Sequence, residues 1–94
     1  MTRDEIGAES FTRMVSALNE VFPGIKSRMN GNFLDFNDDD IRVEMTTCDN
    51  FDGCFDVIGD DGSHGTLWGV KPVVNVLVRE ICNVRKQKIL NKLV

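Results

Sequence analysis

The hydrophobic pattern changes period twice along the chain, and that constrains the fold more than any motif does. Phe11, Met14, Val15, Leu18, Val21 and Phe22 recur at steps of three and four, which is the spacing of one helical face. Ile41, Val43 and Met45 then alternate with Arg42, Glu44 and Thr46, as in a half-buried strand. Helical spacing returns with Val70, Val73, Val74, Leu77, Ile81 and Val84 and runs on through Ile89, Leu90 and Leu93.

The punctuation agrees with this division. Asp4 or Ser10 suits the start of the first helix, and Pro23-Gly24 ends it. Asn30-Gly31 lies between two strand-like runs and predicts a tight hairpin turn, where both central positions need positive φ. Asp38-Asp39-Asp40 reads as a turn, Cys48 to Gly53 as a polar loop, and Cys54 to Ile58 as a further strand. Gly59 to Gly65 has the composition of a long loop. Pro72 marks the start of the second helix, whose last turns carry Arg85, Lys86, Lys88 and Lys92 at the negative end of the helix dipole.

The predicted class is therefore α+β: a helix, a short antiparallel sheet of three to four strands and a long C-terminal helix, with both helices packed on one sheet face. At 94 residues the chain predicts a single domain, 1–94. About two-fifths of the residues are hydrophobic, enough for a small core and too many for a disordered chain. No stretch reaches the roughly 20 apolar residues a membrane span requires. Asp4 and Glu5 fall within the first five residues and no apolar run follows them, unlike a secretory leader, so the expected location is cytoplasmic.

Catalytic and metal-binding patterns are weak. His64 is the one histidine, and Ser63 and Asp61 beside it do not make a triad by sequence proximity. Cys48, Cys54 and Cys82 lack the close knuckle spacing of structural zinc sites. They are expected as free, mostly buried thiols, with a Cys48–Cys54 disulfide the lesser alternative. Asp35 to Asp40 resembles the start of a calcium loop, but the glycine and glutamate an EF-hand requires at its sixth and twelfth positions are here Asp40 and Thr46. No cofactor and no enzymatic activity are expected.

Charge carries more information. The net charge of −4 hides a segregated chain: residues 35–61 carry −9 and residues 62–94 carry +5. The acids Asp35, Asp38, Asp39, Asp40, Glu44, Asp49, Asp52, Asp56, Asp60 and Asp61 are candidates for one exposed surface. Phe51, Phe55 and Trp68 are candidate apolar anchors beside it. Crowded like charges carry a repulsive cost that a partner rich in Lys and Arg would relieve.

The expected function is a non-enzymatic binding protein, an inhibitor or regulator that docks through an acidic surface onto a basic partner such as a nucleic-acid-binding enzyme. By analogy of size and charge, small phage inhibitors of host defence nucleases have this character. Two other readings stand beside it. One is nucleic-acid binding through the basic end of the last helix. The other is self-association of that helix through Val78, Cys82, Ile89 and Leu93.

Overall fold

The computed structural model describes residues 2–48, 51–60 and 62–93. Helix α1 spans Arg3–Val21, and its first turn is capped by Thr2, whose hydroxyl accepts a hydrogen bond from the Glu5 amide at 3.3 Å. The cap thus falls ahead of both Asp4 and Ser10. At the other end the Phe22 amide closes on the Leu18 carbonyl, and the Asn19 side chain accepts from the Gly24 amide at 3.0 Å. Pro23 and Gly24 then turn the chain out of the helix, with Gly24 at a φ of 78°.

Five strands follow: β1 Arg28–Asn30, β2 Phe33–Phe36, β3 Ile41–Cys48, β4 Phe51–Gly59 and β5 Gly62–Trp68. A short 3-10 turn, Asn37–Asp39, links β2 to β3, and helix α2 closes the chain at Val70–Lys92. All strands pair antiparallel with their sequence neighbours, in the order β1-β2-β3-β4-β5. The class is α+β as expected, with five strands rather than three to four.

The additional strand is β5, which replaces the long loop expected at 59–65. Gly62 turns the β4–β5 hairpin with a φ of 104°, and Gly65, at 79°, sits in a bulge. Asp56 pairs with Thr66 and Ile58 with Ser63, so His64 and Gly65 together oppose Val57. The Cys48–Gly53 loop is likewise replaced by strand on both sides. The first hairpin forms one residue later than Asn30-Gly31, because Asn30 pairs with Phe33 and leaves Gly31 and Asn32 as the turn.

Strand alternation sends one set of side chains to the core. Leu34, Phe36, Ile41, Val43, Met45, Phe55 and Val57 pack against Phe11, Met14 and Leu18 of α1 and against Val73, Leu77 and Ile81 of α2. Phe11 and Phe55 meet with their ring centroids 5.9 Å apart, a favourable tilted contact. The first turns of α1 approach β3 closely at Gly7, where a Cβ would stand 2.9 Å from the terminal methyl of Met45. Both helices lie on this face, as expected, and the opposite sheet face is left open. Of the cysteines, Cys54 is buried, as expected, and Cys82 is exposed, contrary to expectation; the side chain of Cys48, and with it the alternative Cys48–Cys54 bridge, lies outside the described residues.

Candidate functional site

Among the described residues, the acids of the middle of the chain fall into two groups and not onto one surface. The structure distributes them between one end of the sheet and its open face. Asp49 and Asp61 lie outside the described residues, as do the side chains of Phe51 and Asp52. Backbone pairing places Asp52 at the β3–β4 hairpin, the end of β4 opposite Asp60.

At the sheet end, the 3-10 turn brings Asp38, Asp39 and Asp40 together, and Asp40 adopts a left-handed φ of 54°. Asp39 points inward with 3% of its surface exposed. Arg85 of α2 donates to both its oxygens, Nε to Oδ1 at 3.1 Å and a terminal nitrogen to Oδ2 at 3.3 Å. That hydrogen bond holds the Arg85 guanidinium above its ordinary pKa, against the opposing effect of partial burial. The same guanidinium lies 4.8 Å from the centroid of the Phe22 ring. Lys88 donates to the Asp38 carbonyl. Part of the acidic turn is therefore consumed in anchoring the last helix.

A polar groove of about 370 Å³ runs beside this anchor, lined by Asp40, Asp60, Glu80, Asn83, Gln87 and Asn91 among others. It mixes carboxylates and neutral amides with the Lys88 ammonium and the apolar side chain of Val84.

The open sheet face is organised by register. One row runs Arg28, Asp35, Arg42, Ile58 and Ser63, the next Asn30, Phe33, Glu44, Asp56 and Thr66, and a third Thr46, Cys54 and Trp68. In the first row Asp35 is almost buried and engaged by Arg42, with Nε to Oδ1 at 2.6 Å. This hydrogen bond raises the Arg42 pKa, and the charges of Asp35 and Glu44 add to it. Arg42 also stacks on Phe33 at 4.4 Å from the ring centroid. The expectation that Asp35 and Asp39 belong to an exposed acidic surface is overturned, because each is buried against an arginine.

The second row is different. Glu44 and Asp56 stand directly opposite each other across β3 and β4, and no ion pair joins either to a cation among the described residues. Like charges in this position destabilise a sheet by about 0.2–1 kcal/mol. Oδ1 of Asp56 is also shielded from solvent and has no hydrogen-bond partner among the described residues. Phe33 flanks the pair on one side. In the neighbouring row Trp68 is 50% exposed, cross-strand from the fully buried Cys54. Of the candidate anchors, Trp68 is on this face, whereas Phe55 is core. Phe33 was not recognised as part of the site, since its position beside Glu44 follows only from the strand register.

His64 occupies a strand, not the exposed loop its neighbours suggest. The Gly65 bulge aims it at α2, where Nε2 lies 3.0 Å from Oε1 of Glu80. Ser63 shares the open face with Ile58, away from that pair, so no serine–histidine–carboxylate set is assembled. Among the described residues no three His, Cys, Asp or Glu side chains gather as a metal group, and no helix is long and apolar enough to cross a membrane. At the basic end of α2, Arg85 and Lys88 face inward to the acidic turn, which leaves Lys86 and Lys92 exposed without an ion pair among the described residues. Compared with known protein families, curated proteins and solved structures, the chain matches none of them.

Proposed function

We propose that the chain is a non-enzymatic binding protein that docks a basic partner on its open sheet face. The observation that carries this reading is the opposed Glu44–Asp56 pair, with one carboxylate oxygen shielded and unsatisfied. A protein tolerates such a local cost where function requires it. A lysine or arginine placed over the two carboxylates would offset the repulsion between them. Trp68, half exposed in the neighbouring row, offers apolar area beside the pair, the kind of aromatic anchor that concentrates binding energy, whereas the ring of Phe33 is already stacked by Arg42. The partner class this favours is a protein with a basic groove, such as a nucleic-acid-binding enzyme, which the chain would inhibit or regulate by occupying it.

The test is a titration with an oligolysine peptide at low salt, followed by calorimetry and by amide and indole chemical shifts. Shifts are expected at Glu44, Asp56, Thr66 and Trp68. The double variant Glu44→Gln/Asp56→Asn is expected to bind about tenfold more weakly, equivalent to about 1.4 kcal/mol. A control variant, Asp40→Asn/Asp60→Asn, alters the acids of the sheet end and is expected to retain most of the affinity. Binding that follows Asp40 and Asp60 instead would overturn the assignment of the face.

A further inference from the structure

The last turns of α2 contribute nothing to the core. Ile81 is the final buried residue of the helix and Val84 the last to pack against the core cluster. Beyond them Ile89 is 61% exposed, Leu93 78%, and Leu90 is exposed as well. Ile89 and Leu93 are four residues apart and share one side of the helix, with Lys86 a turn before them. The tip is thus apolar with a cationic border.

This tip matches the open sheet face in chemistry. One carries leucine and isoleucine side chains bordered by Lys86 and Lys92; the other carries Ile58, Trp68 and the Arg42-stacked Phe33 around Glu44 and Asp56, which form no ion pair among the described residues. The two cannot meet within one molecule. Helix α2 lies on the covered face of the sheet, and Arg85 and Lys88 tie it to the turn at 37–39. Two tips meeting each other would bring lysines against lysines.

We infer that the occupant of the open face is, in one state of the protein, the α2 tip of a second copy, in a head-to-tail contact. This rests on the reading of that face as a docking surface for basic groups and names one such partner. The contact is heterologous, so it propagates into open chains unless the rotation between copies closes it into a ring. With so few apolar residues on each side, the buried area falls near or below about 1,200 Å², in the weak, transient class. The expected dissociation constant is on the order of 100 µM, rising as salt screens the lysine–carboxylate attraction.

Sedimentation equilibrium of the full chain tests this. The weight-average mass is expected to rise with concentration past that of a dimer and to fall back in high salt. Two variants separate the surfaces: Ile89→Asp/Leu93→Asp disables the tip, and Glu44→Lys/Asp56→Asn disables the face, with circular dichroism confirming that each folds. Each alone is expected to be monomeric, while an equimolar mixture forms a dimer that grows no further, because one variant still offers a face and the other a tip. A face variant that continues to associate by itself would mean contact between tips and would overturn the inference. So would a wild-type chain that stays monomeric at about 1 mM, about tenfold above the expected dissociation constant, or one whose tip instead binds vesicles of anionic phospholipid. If oligolysine still binds such a monomer, only the assembly is lost; if it does not, the docking face is lost as well.

Discussion

Arg85 and Asp39, 46 residues apart in sequence, are joined by two hydrogen bonds that fasten the last helix to the 3-10 turn between β2 and β3. The carboxylate is the buried partner and the guanidinium the wet one, with 4% and 42% of their side chains exposed. Removing the arginine therefore strands a desolvated charge, whereas removing the acid leaves a cation that water can reach. Arg85→Leu is expected to cost about 1–3 kcal/mol, toward the lower end because the pair is partly solvated. Asp39→Asn should cost less, and the double variant less than the sum. Urea denaturation of the three variants measures this.

The alkaline behaviour of the same pair follows from the raised Arg85 pKa. A cation whose folded pKa exceeds its unfolded one contributes stability in full below the unfolded value and loses it only as pH rises through the folded one. Both values lie beyond the range in which the protein is handled. The Arg85–Asp39 coupling energy, taken from a double-mutant cycle, is expected to be the same at about pH 7 and about pH 10. A decline over that interval would show that another group holds Asp39.

Glu44 separates folding from binding. It opposes Asp56 with only the neighbouring charge of Arg42, itself bonded to Asp35, to offset the repulsion, so Glu44→Gln is expected to stabilise the free protein by a few tenths of a kcal/mol, about 0.2–0.5. The same change should weaken binding of oligolysine. Opposite signs in thermal melting and in calorimetry would identify a residue kept for recognition, whereas a loss of stability would show that Glu44 is structural.

Gly65 is required by backbone geometry alone. A Cβ there would meet nothing within 4 Å, yet φ is 79°. Gly65→Ala is expected to destabilise by about 1 kcal/mol, the cost of a non-glycine residue in left-handed geometry. Relaxing the bulge also turns His64 away from Glu80, which the imidazole resonances of His64 would report.

Both helices and the strand class were readable from periodicity, because their apolar faces are long enough to repeat. Strand β5 was not. It carries glycines at a turn and a bulge, and as an edge strand it is exposed at nearly every position, so no alternation marks it. The burial of Asp39 left no local signal either. Within a run of three aspartates nothing distinguishes the one that an arginine on α2 will reach. Charge segregation singled out the acids, but their grouping depends on register: Glu44 and Asp56 become neighbours only once β3 and β4 are aligned, and Phe33 joins them only through β2.

The thiols should differ sharply in reactivity. In a Cys48→Ser background, Cys82 on the exposed side of α2 is expected to react with a disulfide reagent at the rate of a free thiol, while Cys54 is protected until the protein unfolds. Rapid labelling of both in the native state would show that the Trp68 side of the sheet opens.

The margins of the sheet have a consequence for how the protein meets other chains. One border strand, β1, is only three residues long, and the other, β5, is bent by its bulge at Gly65. Neither presents a straight run of unsatisfied amides and carbonyls onto which a foreign strand could zip. Amyloid-style growth through backbone ladders is thereby discouraged, and encounters are left to side chains, whose affinity can be tuned one residue at a time.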